Sequence, residues 1–110
     1  MSDMDGYCLI YSSCPDEKTA QELANALVDR RLAACVSVLP GMTSVYVWQG
    51  QRESSREVLL MIKTMAARYD EVETLLRERH PYELPEVIAV PIECGLPDYL
   101  NWIESRTEAN

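Results

Sequence analysis

The chain predicts an α+β fold: a four-stranded antiparallel sheet in the βαββαβ, ferredoxin-like order, with one extra helix at the C-terminal end. Three observations carry this. Apolar runs of strand period and of helix period follow one another as β-α-β-β-α-β-α. Proline and glycine punctuate the joins between these runs. At 110 residues and 47% hydrophobic, the chain fits one domain with a core of its own, without internal repeat or linker.

Residues 6–13 read as the first strand. Cys8, Ile10 and Ser12 alternate with Tyr7, Leu9 and Tyr11, and both faces are largely apolar, as in a central strand. Cys14-Pro15-Asp16 breaks it; Pro15 suits the first turn of a helix and Asp16 its N-terminus. Ala20, Leu23, Ala24, Leu27 and Val28 then recur at helical spacing, to about Arg31. The second strand is 33–39, with Pro40-Gly41 as a kink or bulge before the β-rich run 43–48. Gln49-Gly50-Gln51 is a hairpin tip, and 57–64 returns as the third strand. Residues 66–79 form the second helix, with Tyr69, Val72, Leu75 and Leu76 on one face. It stops at His80-Pro81-Tyr82-Glu83-Leu84-Pro85-Glu86, where two prolines four residues apart forbid continuation. Residues 86–94 form the fourth strand, and Pro91 within it marks an edge or a bulge. After a turn bracketed by Gly95 and Pro97, 97–106 is a short helix with Leu100 and Ile103 inward.

This order puts the end of strand one, the end of helix two and the hairpin tip at one end of the molecule. Cys14, His80 and Trp48-Gln49-Gly50 therefore converge. His80 is the only histidine, and imidazole both titrates near neutrality and ligates transition metals. With both helices on one sheet face, the other needs cover from the last helix or another subunit. Tyr7, Tyr46 and Trp48 favour a subunit; Tyr46, Trp48 and Tyr82 are the candidate interface anchors. Lys63 interrupts an apolar strand and is a candidate for a cation facing an intersubunit cleft.

A net charge of −8 repels phosphate backbones, so no nucleic-acid partner is expected. No apolar run approaches the ~20 residues of a membrane helix, and no membrane partner is expected. The acidic start Met1-Ser2-Asp3-Met4-Asp5 lacks a basic leader, which points to the cytoplasm. The four cysteines form no C-x-x-C pair and should be reduced there. Cys8, Cys35 and Cys94 read as small core hydrophobes, while Cys14 reads as an exposed turn thiol. Cys8 and Cys94 are expected near each other, without a disulfide. No P-loop or G-x-G-x-x-G occurs.

Several runs together resemble the CutA divalent-cation tolerance family. They are 31–36 (RLAACV), 40–50 (PGMTSVYVWQG), 62–64 (IKT), 80–86 (HPYELPE) and 99–103 (YLNWI). The resemblance implies a tightly packed homotrimer of ferredoxin-like protomers, non-enzymatic, with a role in tolerance of divalent cations, copper in particular. It also implies a metal site made of a cysteine late in strand one and two adjacent histidines at the end of helix two. In this chain those positions are Ser12 and the pair Arg79-His80, and serine and arginine are not ligands for soft copper. The candidate set that remains for copper or another divalent metal ion is Cys14, His80 and Glu83. Two other readings stand beside this one. One is a signalling trimer like the PII proteins, with a small effector in clefts between subunits. The other takes Cys14 and His80 as nucleophile and base.

Overall fold

The computed structural model describes residues 6–108. The acidic start at 1–5 lies outside them. The elements are β1 (Tyr7–Cys14), α1 (Glu17–Asp29), β2 (Cys35–Trp48), β3 (Gln51–Met65), α2 (Tyr69–Arg79, after a 3-10 turn at Ala66–Arg68), β4 (Ile88–Ile92) and α3 (Pro97–Arg106). The sheet order is β2-β3-β1-β4, with every neighbouring pair antiparallel. That is the expected α+β order, with β1 inside the sheet and the proline-bearing β4 at its edge.

Alternation along the strands builds the core. Cys8, Ile10 and Cys14 of β1 and Val58, Leu60 and Ile62 of β3 face Ala20, Leu23 and Leu27 of α1 and Val72, Leu75 and Leu76 of α2. Both helices therefore cover one sheet face. Asp16 caps α1: its carboxylate accepts the Thr19 N–H at 2.7 Å, and Pro15 precedes the cap instead of opening the helix. Arg31, at a φ of +59°, ends the turn after α1, and its guanidinium donates to the Ser105 carbonyl at 3.0 Å. The Arg68 guanidinium donates to the Thr107 carbonyl at 2.8 Å. Two cations thus sit at the C-terminal end of α3, where carbonyls lack helical partners. Tyr7, opposite in facing to Cys8, donates to Glu104 at 3.3 Å, so α3 reaches the second sheet face at its Tyr7 end.

The Thr19 hydrogen bond lowers the Asp16 pKa below the ordinary 3.8. A lowered folded-state carboxylate pKa stabilises the fold above the unfolded value and stops doing so as pH falls through the folded one. Asp16→Ala should lower Tm at neutral pH, and the gap to wild type should narrow as the solution is acidified below 3.8. A gap that stayed constant with pH would contradict this assignment.

Several boundaries differ from the sequence reading. β3 begins at Gln51, not Glu57, so 51–57 pairs with 42–48 as a two-stranded arm. β1 pairs with β3 only from Val58 onward, and the arm therefore runs past the body of the sheet. Gln49 and Gly50, at φ +52° and +80°, close it in the positive-φ turn that suits twisted hairpins. Pro40-Gly41 sits at the register shift between Leu39 and Met42, a bulge within one continuous β2. β4 stops at Ile92, which pairs with Tyr7, the first residue of β1; Glu93 and Cys94 have no strand to pair with. Cys94 is consequently exposed and outside the core, and Cys35 is only half-buried. Cys14 is a β1 residue, fully buried, not an exposed turn thiol, because the inward alternation of Cys8, Ile10 and Ser12 continues to it.

Candidate functional site

Helix α2 stops at His80, whose backbone turns extended (φ −73°, ψ 138°) as Pro81 requires. Its N–H still donates to Leu76 at 2.8 Å. The ring packs against Tyr82 at a centroid distance of 4.7 Å and is buried. The Tyr82 N–H donates to Nδ1 at 3.1 Å, and Nε2 lies 2.7 Å from the Ser13 carbonyl. A carbonyl only accepts, so Nε2 carries the proton and Nδ1 receives one: the ring is the neutral Nε2–H tautomer with both nitrogens engaged. β4 pairs only as far as Tyr11, so His80 takes a carbonyl of β1 that lies beyond the β4 ladder. The expected meeting of β1 and α2 at one end is thus realised as a hydrogen bond from ring to backbone.

Cys14 lies behind this corner. Burial, then the negative charges of Asp16 and Glu57, push its thiol up to about 11, so it is protonated at neutral pH. Ser12, at the cysteine position of the metal site that the resemblance implies, is fully buried, and its Oγ has no hydrogen-bond partner. Arg79 and Glu83 are exposed. Among the described residues, no three His, Cys, Asp or Glu side chains converge as a metal site. Copper needs a thiolate or an imidazole lone pair; here one is protonated and the other accepts the Tyr82 amide. The residues do not fit a metal centre, and the same two facts leave no activated nucleophile beside a free base.

Native alkylation reads this arrangement directly. Iodoacetamide at neutral pH should modify exposed Cys94 first and Cys14 only on unfolding, followed by peptide mass spectrometry. Early modification of Cys14 would contradict the burial described.

A concavity beside this corner lies between the hairpin arm and the loop after α2. It holds about 620 Å³ and is walled by residues 44–48 of β2, Ser13 of β1, Glu57 of β3, and Tyr82, Glu83, Leu84 and Glu86 of the loop. The Tyr82 hydroxyl donates to Glu57 Oε2 at 2.7 Å, and the Ser13 hydroxyl to Glu86 at 3.4 Å. Burial and the Glu57 contact raise the Tyr82 pKa. Tyr46 exchanges a hydrogen bond with Ser55 at 3.1 Å and, like Trp48, stays exposed. Lys63 is elsewhere: half-buried among β2 and β3, it donates to Ser37 at 2.6 Å and lies 3.8 Å from the Cys35 sulfur.

Sequence reading missed Glu57, which is only 8% exposed. The available signal was an acidic residue directly before the apolar run 58–62.

Comparison with known proteins agrees with this fold throughout its length. Residues 8–106 match the family model described as CutA1 divalent ion tolerance protein. Over 99 residues the chain is 48% identical to mouse Protein CutA, covering 90% of this chain and 56% of that protein. It is 39% identical to the divalent-cation tolerance protein CutA of Thermus thermophilus, covering 90% and 96%. The crystal structure of CutA from Xylella fastidiosa superposes with a TM-score of 0.91 at 47% identity, covering 93% of this chain and 98% of that one. The chain thus spans little more than half the length of the mouse relative but nearly all of the bacterial ones.

Proposed function

The chain belongs to the CutA1 divalent ion tolerance protein family, and from that premise we propose that it acts in divalent-cation tolerance, copper included, as a non-enzymatic homotrimer. The observation that carries this reading is the arm. A two-stranded ribbon is at best marginally stable in water by itself. This one leaves Val45 65% and Val47 70% exposed, and Leu84, Ile88 and Val90 are exposed as well. Such a surface calls for a partner. Alternate residues of a strand face opposite ways, so Val45 and Val47 present one side and Tyr46 and Trp48 the other. In the proposed assembly the valine side seats on a neighbouring copy, and the groove that Val45 and Val47 line together with Tyr46, Trp48 and Tyr82 lies at that contact.

Tolerance on this reading depends on the assembly and not on a metal centre at Cys14, His80 and Glu83. The reading places the protein in the cytoplasm, where unpaired thiols stay reduced. The test is growth on copper of a bacterial strain lacking its own family member. The wild-type chain and Cys14→Ser should both restore growth; Val47→Asp should not. Loss of rescue with Cys14→Ser, and retention with Val47→Asp, would reverse the conclusion.

A second reading, an effector-binding trimer, is favoured by the groove of about 620 Å³, a volume typical of small-molecule sites.

A further inference from the structure

We propose that Cys35 and Lys63 are a peroxide-responsive modification site, at which a reversible S–N bond joins β2 to β3. The inference goes beyond the metal-tolerance and effector readings and rests on neither.

The central observation is the register of β2 against β3. Cys35 and Lys63 are direct cross-strand partners, so their side chains leave the sheet side by side on one face. The Ala34 N–H donates to the Lys63 carbonyl at 2.9 Å and anchors the pairing where β2 begins. Ile62 and Thr64, on either side of Lys63, point the other way and are fully buried. Cys35 and Lys63 therefore share the sheet face away from α1 and α2. There Lys63 Nζ donates to Ser37 Oγ at 2.6 Å and lies 3.8 Å from Cys35 Sγ. The one ion pair among the described residues is Arg68–Glu71, so no carboxylate there holds Lys63.

The arrangement belongs to this pair alone. The chain has two lysines, Lys18 and Lys63. Cys8 stands opposite Thr64 and Pro91, Cys14 stands opposite Val58, and Cys94 lies outside the strands. Cys35 and Lys63 are both half-buried, which leaves part of each open to a small oxidant.

The chemistry balances with hydrogen peroxide as the one co-reactant. Peroxide transfers an oxygen to Cys35: the O–O bond breaks, the sulfur is oxidised by two electrons to sulfenic acid, and water leaves. A sulfenic acid condenses with a nearby nitrogen to a sulfenamide. Lys63, its ammonium proton released to solvent, attacks the sulfur through the Nζ lone pair. The S–N bond forms, the S–O bond breaks, and the hydroxide departs as a second water with a proton from the nitrogen. One thiol, one amine and one peroxide thus give one sulfenamide and two waters. Rotation along the flexible lysine stem closes the remaining gap. The bond removes the Lys63 charge from this face and shields Cys35 from the irreversible sulfinic and sulfonic acids.

The test is peptide mass spectrometry of the full chain after hydrogen peroxide, digested without reductant. A linked Cys35–Lys63 pair is expected, lighter by two hydrogen atoms than its two peptides together, and lost on adding dithiothreitol. Lys63→Arg keeps the positive charge without the primary amine. It should abolish the linked pair and leave a Cys35 sulfenic acid that dimedone captures. Cys35→Ser should abolish both products, and Lys18→Arg should change neither. Circular dichroism should be the same for all four proteins. Cys35 oxidised to the same products in wild type and Lys63→Arg, with no linked pair in either, would overturn the proposal. So would disulfides as the only products lighter by two hydrogen atoms. Linkage in the Val47→Asp variant but not in wild type would show that assembly closes this face to peroxide, and would overturn it for the assembled protein.

Discussion

Changing Val47 to aspartate is expected to convert the assembly to single protomers while leaving the protomer's fold intact. Val47 is 70% exposed and touches none of the buried core, so the substitution removes no packing inside the protomer. Surface substitutions of this kind cost less than about 0.5 kcal/mol. In the proposed trimer the same side chain is covered by a neighbour, and a carboxylate there would be desolvated without a partner. Disruption at the centre of an interface costs about 2–4 kcal/mol, roughly 30-fold to 1000-fold in the association constant. The two contexts differ enough to be separated in one comparison: mass by sedimentation, fold by circular dichroism. A change in mass with unchanged spectrum is the expected result. An unchanged mass would show that the arm's valine face is not the contact.

The largest effect on the protomer itself should come from Leu60. It is fully buried at the middle of β3, paired with Ser12 on one side and Val38 on the other, under both helices. Leu60→Ala removes three carbons from a site hemmed in by strand neighbours that cannot close over the gap. Burial of this kind costs about 2–5 kcal/mol when truncated. For a domain of this size that corresponds to a fall in Tm of roughly 10–20 °C. The measurement belongs in the Val47→Asp background, where unfolding is not linked to dissociation. Leu84→Ala, at a residue 72% exposed, is the matched control and should barely move Tm in that background. Equal losses at Leu60 and Leu84 would contradict the core described.

The sheet order was legible because each run declared its own period. Cys8/Ile10 and Leu60/Ile62 alternate, Leu23/Leu27 and Val72/Leu75/Leu76 recur at helix spacing, and Pro81 stops α2 where it must. The arm was only half legible. Residues 51–56 (QRESSR) are polar and carry no strand period, because there neither face of the two-stranded ribbon is buried in its own protomer. Pairing with Thr43–Trp48, a tertiary fact, holds them extended.

The corner around His80 shows the limit from the other direction. Topology alone brought Cys14 and His80 to the same end. What it could not supply was the direction of the hydrogen bonds, and these decide the chemistry. Nε2–H meets the Ser13 carbonyl and Nδ1 meets the Tyr82 amide, so the ring ties α2 to β1 and holds the loop. Cys14 reads as a turn residue because Pro15 follows it, yet the strand runs one residue further than the turn signal suggests. Glu57 was hidden for a related reason. A carboxylate before an apolar strand ordinarily faces water, and only the fold brings Tyr82 across to cover it.

Assembly is the claim on which the proposed function turns, and the mass of the unmodified chain at micromolar concentration tests it most directly. Light scattering or sedimentation equilibrium should return three times the 12.5 kDa of the protomer. A mass of 12.5 kDa under the same conditions would contradict the account.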